Sequence, residues 1–127
     1  MLRSLYPLLA VLVLILAAWL LQQTAANYDE AAQEQLIVYG TLTHPLVRFY
    51  ACRCHTPTQP IELPGFAVAD RNLVSASSTV KGQLLQVTPT ELTRFDRYEG
   101  VPEQYERVRL SIGTTTAWVY RRVGSAP

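Results

Sequence analysis

The chain has 127 residues, of which 49% are apolar and 17% are charged. This length accommodates one domain with a hydrophobic core and excludes a multidomain enzyme, while the apolar content excludes intrinsic disorder. Residues 27–127 carry ten basic and ten acidic side chains, so their zero net charge offers no basic surface to a nucleic acid partner. Two cysteines are too few for a disulfide-based scaffold.

A nearly unbroken apolar run, Leu5–Leu21, occupies the N-terminal end of the chain. Its 17 residues reach the lower limit of about 17 for a membrane-spanning helix. They exceed the core of roughly 7 to 15 residues that a cleaved signal peptide contains. We therefore predict that residues 1–26 form one N-terminal hydrophobic helix that anchors the protein in a membrane.

The charges that flank this run predict its orientation. Arg3 precedes it and acidic residues follow it from Asp29 onwards, which places the N-terminus in the cytoplasm and the domain outside. Alternatively, the small residues Thr24–Ala26 suit a signal peptidase that cleaves before Asn27, and the domain is then exported. A reporter fused after Pro127 that is active only in the cytoplasm would contradict either location.

Residues 27–35 are polar and alanine-rich, which predicts a tether or a short helix. The apolar run Leu36–Tyr39 then ends at a glycine and predicts a buried first strand followed by a tight turn. Four prolines lie within His44–Gly65, so this segment is predicted to be an extended connection, with a short helix at Leu46–Cys52.

The clearest element in the sequence is a helix over Pro89–Glu99. Thr88 suits the N-cap, Pro89 suits the first helical position, and Glu91 completes a capping box with the threonine. Gly100 provides the left-handed residue that commonly ends a helix. Independent signals therefore define both ends.

Strand patterns flank this helix. Val80–Val87 precedes it, and Gly82 permits a bulge or a close approach of another segment there. After the helix, apolar and polar residues alternate over 107–112, and a second strand pattern over 115–121 follows a glycine-containing turn, which predicts a terminal hairpin. We therefore predict an α+β domain over residues 36–127.

Two acidic residues lie at the inward edge of the predicted helix. Glu99 is seven residues after Leu92 and four after Phe95, which places its carboxyl group on the apolar face, and Asp96 lies near the same face. A carboxyl group in such a place tends to have a raised pKa and exchanges protons near neutral pH. The alternative is that Glu99 bends out to solvent from the last turn.

The turn after the first strand, Tyr39–Leu42, is a second candidate site. A glycine at the end of a buried strand exposes successive backbone N–H groups, which can hold a carboxylate or an oxyanion. The pattern by itself is more typical of an ordinary strand-to-loop turn.

Four potential metal ligands lie in or near the proline-rich segment: His44, Cys52, Cys54 and His55. Their spacing matches no zinc finger or ribbon, and adjacent Cys54 and His55 are difficult to direct at one ion, so we predict no metal site. A Cys52–Cys54 disulfide outside the cytoplasm and a catalytic cysteine with a histidine partner are the alternatives. The sequence also lacks the glycine-rich loops that bind nucleotide cofactors.

Taken together, these motifs resemble the gamma-glutamylcyclotransferase-like family, and its AIG2-like branch in particular. The resemblance covers Leu36–Arg121 and rests on Val38–Leu42, Gly82–Leu85, Phe95–Gly100 and Tyr105–Arg107 in this order. It implies a small mixed β-barrel or curled sheet with short helices. It also implies a reaction without a cofactor, in which the free α-amine of a γ-glutamyl group attacks its own side-chain amide carbonyl. The products are 5-oxoproline and an amine or amino acid.

The resemblance further implies roles for individual residues. Glu99 matches the catalytic glutamate, which takes a proton from the α-ammonium group and helps to deliver one to the leaving amine. The backbone of the turn holds the substrate, and a tyrosine contacts it or supports the pocket; the matched residues are Tyr39, Gly40, Thr41, Leu42 and Tyr105. Asp96 and Arg107 are expected to brace the fold. Residues 43–48 depart from the glycine-containing turn of many relatives, so a non-catalytic domain that binds a small ligand is the alternative.

Overall fold

The computed structural model describes residues 5–31 and 33–124, with side chains described for 5–22 and 33–124. The chain divides into two compact units, Met1–Ala32 and Gln33–Pro127. The first contains helix α1 (Tyr6–Ala31), so the predicted hydrophobic helix forms and continues through much of the predicted tether.

The prediction of a membrane anchor is not supported. Among the described residues, no helix combines the length and the hydropathy that a membrane crossing needs. Helix α1 begins at Tyr6, and its apolar run stops before Gln22. The location of the domain outside the cytoplasm stays a prediction.

The second unit is an α+β domain built on one curled, half-barrel sheet of five strands, as predicted. The strands are β1 (Glu34–Val38), β2 (Thr58–Ala69), β3 (Asn72–Val87), β4 (Tyr105–Ile112) and β5 (Thr115–Arg122). Their order across the sheet is β2-β3-β1-β5-β4. Strands β1 and β5 are parallel, and the other neighbours are antiparallel. The terminal hairpin β4–β5 confirms the prediction.

Two helices of this unit, α2 (Pro45–Cys52) and α3 (Pro89–Glu99), agree with the predictions. The Thr88 hydroxyl accepts the Glu91 amide at 3.2 Å, and the Glu91 carboxylate accepts the Thr88 amide at 2.9 Å, which completes the capping box. Gly100 ends α3 with φ 74°. Local chemistry therefore fixes the bounds of α3, whose last residue is Glu99.

The prediction of an extended connection over the proline-rich segment is wrong for its last part, because the chain from Thr58 onwards belongs to β2. Pro60 and Pro64 are tolerated there since β2 lies at the edge of the sheet, where a missing N–H costs no bond to a further strand. A register shift between Pro64 and Phe66 adds a bulge. Strand β2 pairs with β3 through the turn at Asp70 and Arg71.

The core lies on both faces of the sheet. On one face, buried residues of β1 and β3 pack with α3, including Leu36, Val87 and Phe95. On the other, Ile37, Leu63 and Val119 belong to a second buried cluster within the curl of the sheet. Strand β1 therefore contributes alternate residues to both cores and leads directly from them into the turn at Gly40.

Candidate active site

A cavity of about 460 Å³ opens where β1 ends, which is the size range of small-molecule sites. It lies between the turn after β1, the C-terminal end of α3 and the β2–β3 turn. Its lining residues are Ile37, Val38, Tyr39, Gly40, Thr41, Leu42, Val68, Arg71, Tyr98, Glu99, Gln104, Tyr105 and Tyr120. All six residues that the sequence marked as a site, Glu99 and the five matched binding residues, line this cavity.

The turn after β1 is a short 3-10 helix, Gly40–Thr43. Gly40 has φ 63°, a left-handed conformation that favours glycine, although no atom within 4 Å would obstruct a side chain. The Thr43 hydroxyl donates to the Gly40 carbonyl at 2.6 Å, and the His44 amide donates to the Thr41 carbonyl at 3.1 Å. The carbonyls are thus tied inside the turn, while the first amides of a helix have no partner within it.

Arg48 of α2 braces the same turn, and the sequence patterns did not reveal this contact. Its guanidinium donates to the carbonyls of Leu42 at 3.2 Å and Thr43 at 2.6 Å, and to the Gln83 side chain at 2.8 Å. The segment 43–48 differs from the glycine-containing turn of many relatives. In its place, the Arg48 side chain bonds the turn to β3.

Tyrosine hydroxyl groups tie the walls of the cavity together. Tyr39 donates to the Tyr120 carbonyl at 2.6 Å, which links the turn to β5. Tyr105 donates to the Arg71 carbonyl at 2.8 Å, which links the start of β4 to the β2–β3 turn. The Tyr105 hydroxyl therefore supports the cavity wall, one of the two roles expected from the sequence.

Glu99 is half-buried at the last turn of α3, and burial raises the pKa of its carboxyl group. Its charge lies close enough to three phenols to raise the pKa of each, although burial is the largest cause for all three: Tyr39, Tyr105 and Tyr120. The pKa of Tyr39 rises to about 12, against a lowering contribution from a backbone hydrogen bond with Leu73. Burial thus favours the protonated form of these three phenols, and Glu99 is the carboxyl group of the cavity lining.

The second acid of the helix, Asp96, does not line the cavity. Its carboxylate accepts the Tyr120 hydroxyl at 2.7 Å and lies 3.4 Å from the Arg107 guanidinium. Arg107 in turn stacks over the Trp118 ring at 4.5 Å. Asp96 and Arg107 thus join α3 to the β4–β5 hairpin, as expected, and the two carboxylates of α3 have separate tasks.

Arg71 is the cationic residue of the cavity lining, and sequence analysis missed it. It occupies a left-handed position, φ 58°, in the β2–β3 turn. The neighbouring carboxylate of Asp70 is held by Arg122 at 2.8 Å. Within the described part of the chain, none of the ion pairs involves Arg71. Recognition of β2 as a strand would have placed an Asp-Arg pair at a hairpin turn and revealed this residue.

The four residues considered as metal ligands do not assemble. The His44 ring accepts the Leu46 amide and caps α2, while the His55 ring packs against Phe49 at 5.3 Å. Cys52 and Cys54 form the disulfide that the sequence left open. Their sulfurs lie within 4.8 Å of a Glu91 oxygen, but a disulfide offers no thiolate to an ion.

The raised pKa of Glu99 predicts how its replacement changes stability with pH. The folded chain binds the Glu99 proton more tightly than the unfolded chain, so protonation of Glu99 stabilises the fold. This stabilisation is fully present below the pKa of Glu99 in the unfolded chain, and it is lost as pH rises through the pKa in the folded chain. Glu99→Gln, which stays neutral, is therefore expected to raise Tm by a few degrees near pH 8 and to leave it unchanged in acid. Thermal unfolding across this range tests the sign. Exposed Glu103→Gln is the control, and a variant destabilised only at high pH would contradict the burial.

The fold and the cavity define a class of protein: a small α+β domain with a half-barrel sheet and a pocket lined by one carboxylate. A family model described as gamma-glutamyl cyclotransferase, AIG2-like, matches residues 36–125. The chain therefore belongs to this family, which confirms the resemblance found in the sequence. No protein of curated function matches the chain at a significant level.

Two solution structures from Arabidopsis thaliana share the fold. The protein At3g28950.1 is 26% identical with a TM-score of 0.57, over 72% of this chain and 62% of that one. The protein At5g39720.1 is 25% identical with a TM-score of 0.59, over 75% of this chain and 72% of that one. The chain thus spans less than two thirds of the first of these proteins.

Proposed function

We propose that the domain is a gamma-glutamylcyclotransferase that releases 5-oxoproline from γ-glutamyl amines or peptides. The observation that carries the proposal is the meeting of Glu99, Tyr105 and the Tyr39–Leu42 turn around one cavity. The turn lies far from Glu99 and Tyr105 in the chain, and the family resemblance marks all of these residues. Family membership supports a cyclotransferase-like domain, and the specific activity is our proposal.

The reaction needs a proton carrier and a fixed substrate more than a strong nucleophile. Glu99 takes a proton from the substrate α-ammonium group, and the freed amine attacks the side-chain amide carbonyl. A C–N bond closes the five-membered ring, and Glu99 gives the first proton to the leaving nitrogen and takes a second proton from the ring nitrogen. The C–N bond to the leaving group then breaks, and the second proton passes from Glu99 to the departing amine, which leaves as an ammonium ion. A carboxyl group whose pKa is raised by burial lies nearer the pKa of an ammonium group, which favours the transfer of the proton from the α-ammonium group to Glu99.

The second contribution to the rate enhancement is the positioning of the substrate. The attacking and attacked groups belong to one molecule, so the enzyme only has to hold the folded-back conformer. Backbone amides of the turn, braced by Arg48, are suited to an anionic carboxylate or to the oxyanion that develops on the carbonyl. No cofactor is required by this chemistry.

The test is to incubate the purified full chain with a library of γ-glutamyl amines and dipeptides and to detect 5-oxoproline by mass spectrometry. We expect release from at least one class of substrate, with the amine formed in equal amount. The alternative function, a non-catalytic domain that binds a small ligand, is favoured by the altered segment 43–48. Saturable binding of a γ-glutamyl compound without turnover would establish that alternative and refute the proposed activity.

Arg71 predicts which leaving groups the site prefers. Its side chain is a cation of the cavity lining without an ion pair among the described residues, so a carboxylate on the leaving amine is a suitable partner. In Arg71→Gln we expect kcat/KM to fall roughly tenfold for γ-glutamylalanine, a modest loss because the residue is exposed to solvent. The neutral γ-glutamylalanine amide should be unaffected. Arg97→Gln, an exposed cation of α3, is the matched control, and equal losses on both substrates would refute this preference.

A further inference from the structure

The disulfide between Cys52 and Cys54 lies at the C-terminal end of α2, and neither cysteine lines the cavity. Only Arg53 separates them in sequence. A structural disulfide stabilises a fold mainly by closing a long loop of the unfolded chain, and a loop this short removes little chain entropy. A gain in fold stability is therefore a weak explanation for the presence of this disulfide. The reactivity of its two sulfur atoms explains it better.

The two sulfurs occupy unequal surroundings. Cys52 is fully buried in the core cluster that contains Leu92 and Phe95, whereas Cys54 is only partly buried at the edge of the same cluster. Thiol–disulfide exchange begins when a thiolate attacks one sulfur and expels the other. Access from solvent therefore selects Cys54 as the sulfur that is attacked and Cys52 as the leaving group.

A carboxylate lies beside the leaving sulfur. Oε2 of Glu91 is 3.9 Å from Sγ of Cys52, while Oε1 of the same side chain accepts the Thr88 amide at 2.9 Å in the capping box. The capping bond orients the carboxylate, so its free oxygen faces the disulfide. The negative charge of this carboxylate opposes a thiolate that forms on Cys52, so Glu91 favours the closed disulfide.

The backbone at Cys52 is held by bonds that do not involve sulfur. The Arg94 guanidinium donates to the Cys52 carbonyl at 3.2 Å. The Arg53 amide donates to the Phe49 carbonyl at 2.7 Å, and Arg53 caps α2 with φ 53°. None of these bonds depends on the S–S bond, so we expect them to keep the two thiols close enough to close it again.

We propose that Cys52 and Cys54 form a thiol–disulfide exchange site for an external dithiol. The thiolate of that dithiol attacks Sγ of Cys54, the S–S bond breaks, and Cys52 leaves as a thiolate that takes a proton from water. The second thiol of the dithiol then attacks its own sulfur in the mixed disulfide and expels Cys54, which is protonated by water. The external dithiol is oxidised to a disulfide, and the two cysteines are reduced to thiols.

Dithiothreitol is the probe, applied to the full chain without denaturant at graded ratios of its reduced and oxidised forms. Free thiols are trapped with a maleimide and counted by mass. We expect the pair to open and close reversibly, with Tm kept within a few degrees. A bond that opens only when denaturant unfolds the domain, or whose opening unfolds it, would overturn the proposal.

Two sets of variants test the roles of individual atoms. With an aromatic disulfide reagent, Cys54 in Cys52→Ser should react at least about tenfold faster than Cys52 in Cys54→Ser, because exposure controls the rate. Glu91→Gln keeps a side chain that completes the capping box, and it should speed reduction about tenfold at neutral pH, because no negative charge then opposes the leaving thiolate. Glu103→Gln should leave the rate unchanged. Equal reactivity of the two cysteines, or no effect at Glu91, would refute the assigned roles.

Discussion

Glu99→Gln is expected to lower the rate of 5-oxoproline release by about 10² to 10⁴, the usual contribution of one general acid–base group. The amide has nearly the shape of the carboxyl group but cannot accept the proton of the α-ammonium group. Substrate binding by the Tyr39–Leu42 turn should be retained, so the loss should appear in kcat. The measurement is steady-state release of 5-oxoproline near pH 8 with the best substrate of the library.

Matched variants separate this loss from damage to the fold. Glu103→Gln removes an exposed carboxylate near the same helix end and should retain full activity, and Glu99→Asp should recover part of the rate because it restores a shortened carboxylate. Asp96→Asn weakens the hydrogen bond from Tyr120 and the ion pair with Arg107. It should therefore lower Tm by several degrees and leave kcat nearly unchanged. Unchanged release by Glu99→Gln would remove the residue from the reaction and leave the binding alternative.

Elements fixed by local chemistry could be predicted from the sequence. Helix α3 has its N-cap, its first-turn proline and its terminal glycine within a short window, and the structure gives the predicted bounds. The sequence also predicted the strand before Gly40 and the hairpin β4–β5, because strand alternation and turn residues are local features. The site followed from these elements, since Glu99 is the last residue of α3 and the turn follows β1 directly.

Features that depend on distant neighbours could not be predicted. Strand β2 was missed because its prolines argue against a strand, and only its place at the edge of the sheet makes them acceptable. Arg71 was missed with it. Arg48 reveals no function in sequence, because its partners lie on the turn and on β3. The predicted membrane anchor is not supported by the part of the chain that the structure describes.

Gly82→Ala is expected to destabilise the domain by about 2–3 kcal/mol, the upper part of the range for overpacking a tight interior. A Cβ atom at this position would lie 2.6 Å from the Val38 carbonyl oxygen. That atom belongs to the backbone of the neighbouring strand β1, so it cannot rotate away as a flexible side chain does. This contact is the close approach that the glycine in the strand pattern predicted.

Gly82→Ala should also weaken substrate binding, because Val38 is the last residue of β1 and the turn at Gly40 begins two residues later. Displacing the Val38 carbonyl moves the backbone that leads into this turn. Urea unfolding measures the loss of stability, and the KM of the same sample measures the displacement of the turn. Ser78→Ala, at an exposed position of β3, should change neither quantity, and a Gly82→Ala protein of unaltered stability would show that the strands separate at little cost.

Gly40→Ala provides the most informative comparison, because the two glycines are required for opposite reasons. Nothing lies within 4 Å of a Cβ at Gly40, but φ 63° is strained for alanine, by about 1–2 kcal/mol. The short turn can relieve that strain by changing its own conformation, whereas the sheet around Gly82 cannot relieve a clash between two backbones. Gly40→Ala should therefore lose more activity than stability, and Gly82→Ala should lose stability first. If both variants lost stability and activity in the same proportion, the turn would be an integral part of the sheet, and its separate role in holding the substrate would be refuted.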